Sequence, residues 1–104
     1  MAIFKNITTD ADHTLRDLSG STGPIKRILF VNKATSGNPC VITLFLYDTV
    51  SPNPTYTLLH TSMPPQTNLL IDDQVLLAYN TNKYQLKLTT AVDGGTSALD
   101  VIIK

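Results

Sequence analysis

From Ile25 onward, every apolar run in this sequence is cut short by a cluster of turn-forming residues. The runs read IKRILFVNK, CVITLFLYD, TYTLLH, TNLLI, VLLAY, YQLKLTT and ALDVIIK, and SGNP, SPNP, MPPQ, DDQ, NTNK and VDGG separate them. Short runs rich in Thr, Val, Ile, Leu and Tyr, punctuated this regularly, predict the strands of an antiparallel sandwich or barrel. A chain given over to strands and turns leaves few residues for a catalytic constellation. Its work is therefore expected at its surface.

Alternation within the runs assigns their faces, because successive strand residues point to opposite sides of a sheet. In the first run Ile28 and Phe30 share one face, and Arg27, Leu29 and Val31 the other. Ile42, Leu44 and Leu46 make a clean inward face, opposed by Val41, Thr43, Phe45 and Tyr47. That opposed face is itself rather apolar, which predicts a central strand or a covered outer surface. Tyr84, Leu86 and Leu88 are expected inside, with Gln85, Lys87 and Thr89 outside; Leu99, Val101 and Ile103 alternate with Ala98, Asp100 and Ile102. Asp93-Gly94-Gly95 offers positive-φ residues for a tight reversal between the last two strands, and Gly37-Asn38-Pro39 does so between two long ones. Pro52 and Pro54 stiffen SPNP. Pro64-Pro65 cannot donate backbone hydrogen bonds, so MPPQ must be a loop or a sheet edge.

Residues 1–24 read differently from residues 25–104, which are expected to form the sandwich domain. Ala2–Thr8 alternates weakly and predicts a first strand; the polar TDADHT, the short Thr14–Leu18 and the break SGSTGP follow. The expectation is a strand and then an arm lying across the sandwich or a neighbour. A single helical turn over His13–Leu18, capped by Asp12, is the alternative.

With 104 residues the chain makes one domain, large enough to bury roughly two thirds of its unfolded surface without disulfides or metal. Cys40 is the single cysteine and opens an apolar strand, so it is expected to be a small buried residue. Net charge is zero, and the basic residues are scattered among aspartates, with Lys26-Arg27 their one pair. Nucleic acid or an anionic membrane surface would require a basic stripe, so neither is an expected partner. Only 15% of residues are charged, which is thin cover for a free monomer and predicts that neighbours cover part of the surface. No run approaches the roughly 18 apolar residues of a membrane helix. The first residues lack a signal-peptide core, so a soluble chain made in a cytoplasm is expected and the Asn6-Ile7-Thr8 triplet reads as chance.

The chemical candidates are sparse. His13 and His60 are the only histidines, too few for a zinc site. Ser62, His60 and an aspartate make a nominal triad without a nucleophile elbow. Asp10 with Asp12, and Asp72 with Asp73, can supply calcium oxygens but lack a full ligand ladder and suit turns. Tyr47, Tyr56, Tyr79 and Tyr84 are candidate sugar platforms, with packing as the competing role. No enzyme activity, metal or cofactor is expected. The residues singled out for partner contact are Ile3, Phe4 and Ile7 in the N-terminal segment, the Lys26-Arg27 pair, and Val41 and Phe45 on the apolar outer face.

Six stretches, Ile25–Lys33, Cys40–Asp48, Tyr56–Leu59, Met63–Asp73, Tyr84–Leu88 and Asp100–Lys104, together resemble small virion proteins of tailed bacteriophages. The likeness is one of order: a strand ending FVN, an apolar strand ending LYD, a YTLL strand, the MPPQTNLLIDD turn and strand, a YQLKL strand and a DVIIK end. It implies a jelly-roll-like β-sandwich of about seven or eight short strands with an N-terminal arm. It also implies a capsid decoration (cement) protein that binds and stabilises the phage head shell as a homotrimer. The expected partners are the major capsid protein or other virion subunits, and the expected location is the capsid surface after synthesis in the host cytoplasm. The alternatives are a neck, tail or fibre component, or a carbohydrate-binding module. No catalytic residue transfers from the resemblance.

Overall fold

Strands with one apolar and one mixed face must pair edge to edge and then stack apolar face on apolar face. The chain does so in a computed structural model that describes residues 3–18, 25–73 and 77–104. Its strands are β1 (Ile3–Ile7), β2 (Asp12–Arg16), β3 (Ile28–Asn32), β4 (Cys40–Asp48), β5 (Thr55–Met63), β6 (Thr67–Ile71), β7 (Tyr84–Val92) and β8 (Leu99–Ile103). They form two four-stranded sheets, a first ordered β1-β8-β3-β6 and a second ordered β2-β7-β4-β5. All pairings are antiparallel.

This order has a simple logic. The first half of the chain pairs with the second half in reverse: β1 with β8, β2 with β7, β3 with β6, β4 with β5. The β3–β8 and β4–β7 ladders then join these pairs side by side. The result is an eight-stranded jelly roll. Among its connections only β4–β5 stays within a sheet; the others cross from one layer to the other. Asp48 organises that hairpin: its carboxylate accepts from the Val50 N–H at 2.9 Å, and its carbonyl from the Asn53 side-chain amide at 3.1 Å.

The core lies between the sheets. Ile28, Phe30, Ile42, Leu44, Leu86, Leu88, Leu99 and Val101 are 0% exposed, so the faces read from alternation are the buried ones. Burial of one such side chain stabilises the fold by about 1.5–3 kcal/mol.

The structure corrects several expectations. Residues 12–16, expected in an arm or a helical turn, form β2 and pair with β7. Ile7 and Leu15 are 3% and 2% exposed, so both strands of the N-terminal segment contribute to the core. The strand expected from Ile25 starts at Ile28, and the one expected to end at His60 continues to Met63. In VLLAY, residues 77–79 are not strand: the Leu77 N–H donates to the Asp73 carbonyl at 3.0 Å, and Leu77 is buried in the core. The rest of VLLAY and the SGSTGP break fall outside the described residues. Gly94 has φ +74° and Gly37 +104°, as expected, yet neither turn closes a hairpin. The last two strands belong to different sheets, and so do β3 and β4.

Candidate interaction surface

The outer face of the first sheet is built from the residues left over when the inner set is buried. Register decides what they make together. Phe4 lies opposite Ile102, Ile102 opposite Leu29, and Leu29 opposite Leu70. One apolar row therefore crosses all four strands in the order β1, β8, β3, β6. Its ends are open to solvent, Phe4 being 71% and Leu70 53% exposed, and Leu29 and Ile102 are half-buried. With strands about 4.8 Å apart, the row spans on the order of 14 Å.

The flanks of the row are polar and unlike each other. On one side Asn6, Asp100, Val31 and Asn68 lie in register, with the Asn6 amide donating to Asp100 at 2.9 Å and the Lys33 ammonium 3.0 Å from the same carboxylate. On the other side Arg27 and Lys104 sit abreast, exchanging backbone hydrogen bonds of 3.1 and 3.0 Å. Asp72 follows Leu70 by two residues and joins Arg27 and Leu70 around a shallow hollow there.

Several side chains on the outer face of the second sheet are tied to one another. Thr43 and His60 are hydrogen-bonded at 2.7 Å, and Thr89 donates to Asp12 at 2.8 Å, in one continuous row. Lys87 lies over the Tyr47 ring, 4.9 Å from its centre, a cation–π arrangement that occupies the aromatic face. Tyr84, which packs against the core at the end of the sandwich, has Lys83 5.4 Å from its ring centre and meets Tyr56 edge to face at 5.8 Å between ring centres.

The residues singled out for partner contact are thus distributed, not gathered. Phe4 and Arg27 reach the first sheet's outer face, with the exposed Lys26 beside them. Val41, 38% exposed, and the half-buried Phe45 lie on the opposite side of the sandwich. Ile7 is closed inside, and Ile3 packs partly against the core from the edge strand. Leu29, Leu70 and Ile102 were not singled out. Each sits at an outward position of its strand, and only the register brings them together with Phe4.

Other polar groups serve the scaffold. His13 is bonded to the Thr9 carbonyl at 3.0 Å. Burial pushes the Cys40 thiol up, against the opposing effect of its contact with the Ser97 hydroxyl. Burial likewise raises the Tyr79 hydroxyl, with the Arg16 charge acting the other way. Asp17 is held below the usual carboxylate range by the Gln85 amide, 2.6 Å away, and the Leu18 N–H. Among the described residues no group of three or more His, Cys, Asp or Glu stands together as a metal site would require.

No family model and no curated protein matches the chain. Among solved structures it is similar to "Structure of infectious bursal disease virus Gx strain", at 12% identity and a TM-score of 0.36. The match covers 99% of this chain and 31% of that one, so the chain spans about a third of its length. So distant a likeness bears on neither function nor partner.

Proposed function

We propose that the chain is a non-enzymatic virion structural protein, a decoration (cement) protein that packs on a capsid shell through its sheet faces. The observation that carries the reading is the apolar row Phe4–Ile102–Leu29–Leu70 on an outer sheet face that none of the described residues covers. Contiguous exposed apolar surface marks association sites. The jelly roll recurs in viral capsid domains and in lectins, and that architectural analogy supports the reading without choosing a function by itself. Thin surface charge favours dense packing among like neighbours, where many weak contacts act together. The partners under this reading are shell subunits, the major capsid protein or further copies of the chain.

Cryo-microscopy of virions that carry the chain tests the proposal. Many copies at lattice positions on the head are expected. A chain missing from the particle overturns the virion reading; a few copies at the neck, tail or fibre replace decoration with the alternative structural role. Saturable binding on a glycan array, lost on Tyr56→Ala, would favour a carbohydrate-binding module instead.

A further inference from the structure

We infer that the apolar row of the first sheet is closed by a second copy of this chain, related to the first by a two-fold axis lying along the row. The inference rests on the reading of this face as the association surface and adds the identity of what meets it.

A self-complementary surface must match its own image. A half-turn about the row lays Phe4, Ile102, Leu29 and Leu70 each over its own counterpart, so apolar meets apolar along the whole span. The same half-turn exchanges the two flanks. Lys104, two residues beyond Ile102 on the Arg27 flank, then faces Asp100, two residues before Ile102 on the other. This contact occurs twice per pair. The aliphatic stem of Arg27 falls over Val31, and the Asp72 carboxylate comes opposite the Asn68 amide. Lys33 already contacts Asp100 from its far side, so the carboxylate lies between two cations in the pair.

The competing half-turn, about the strand direction, keeps each flank on itself. It sets Lys104 against Arg27 and Asp100 against Val31, bringing two cations together beside Asp72 and leaving Asp100 without a cation from the second copy. Like-charge juxtaposition of this kind selects against wrong docking. Charge therefore discriminates between two arrangements that the apolar row alone would allow equally.

The outer face of a four-stranded sheet with five-residue strands buries on the order of 1,000 Å² over both copies, the lower limit for a specific interface. The pair is accordingly weak in dilute solution and fills at the local concentrations of an assembled shell. A two-fold pair replaces the homotrimer implied by the resemblance as the unit this face builds.

Sedimentation of the full chain over a wide concentration range tests the inference. A reversible monomer–dimer equilibrium is expected. Leu29→Asp, at an outward position, should leave the chain monomeric with its β circular dichroism intact. Lys104→Asp and Asp100→Lys should each weaken dimerisation by about tenfold or more, and the double exchange should recover most of the wild-type affinity. That recovery is a readout that simple damage to the fold would not produce. A chain that stays monomeric at every concentration overturns the inference, as does a dimer that survives Leu29→Asp or a double exchange that recovers nothing. If the chain is monomeric yet Leu29→Asp abolishes its incorporation into particles, the row docks on a different shell subunit; the second-copy assignment then falls while the proposed function stands.

Discussion

Asp10 and Ser97 fasten two layer-crossing connections to each other at one end of the sandwich. One Asp10 carboxylate oxygen accepts from the Ser97 N–H at 2.9 Å and from its hydroxyl at 2.5 Å, and the other oxygen accepts from the Val92 N–H at 3.1 Å. Asp10 lies between β1 and β2, and Ser97 between β7 and β8. The clamp thus joins the passage from first sheet to second with the passage back. The Ser97 and Thr90 hydroxyl oxygens lie 2.9 Å apart, which extends the network inward.

These hydrogen bonds favour the ionised carboxylate and hold Asp10 below its usual pKa, the Ser97 side chain contributing most and the Val92 N–H next. The sign follows by linkage. A group whose folded pKa is depressed stabilises the fold above its unfolded pKa, and that contribution disappears as pH falls through the folded value. Asp10→Asn should therefore lower the melting temperature at neutral pH and flatten the acid limb of the stability profile. Thermal melts of both proteins from neutral pH down past the ordinary carboxylate range would show this. Parallel acid limbs would mean the clamp contributes nothing as an ion.

Inner and outer leucines should respond differently to truncation. Leu86 is 0% exposed and faces the core from β7, so Leu86→Ala should cost about 2–5 kcal/mol in urea unfolding. Leu70 is 53% exposed on the outer row, so Leu70→Ala should stay within about 0.5 kcal/mol. An equal cost at both positions would contradict the assignment of the row to association.

How far the sequence made this legible depends on the range of the interactions. Alternation is local, and it placed Leu44, Leu86, Leu88 and Val101 inside correctly. β2 escaped because its ladder with β7 shifts register between Thr14 and Arg16, which buries the adjacent Leu15 and Arg16 together and erases the period of two. VLLAY has strand composition, yet Leu77 is buried in the core without belonging to a strand. The row that carries the proposed function depends on the pairing of Phe4 with Ile102, residues at opposite ends of the chain, and periodicity within a strand holds no information on such a register.

Cys40 should be chemically silent in the native protein. It is 1% exposed at the start of β4, in contact with the Ser97 hydroxyl, and burial raises its thiol pKa, which lowers the fraction of reactive thiolate. Aromatic disulfide reagents at neutral pH should label it only after denaturant unfolds the chain. Labelling at the rate of a free thiol without denaturant would show that the β3–β4 end of the sandwich opens in the native state.

Removal of residues 3–8 separates a structural N-terminus from a docking arm. β1 covers one edge of β8 through five paired residues and supplies Ile7, 3% exposed, to the core. Its loss leaves Leu99, Val101 and Ile103 on an uncovered edge strand and opens a void where Ile7 packed. A cavity of this kind costs about 2–5 kcal/mol before the lost backbone ladder is counted, against a typical total of about 5–15 kcal/mol. The truncated chain should therefore be largely unfolded or aggregate through the bared β8 edge. Sharp urea unfolding with nearly the wild-type midpoint would show instead that the segment is dispensable to the fold, and would return it to the role of an arm.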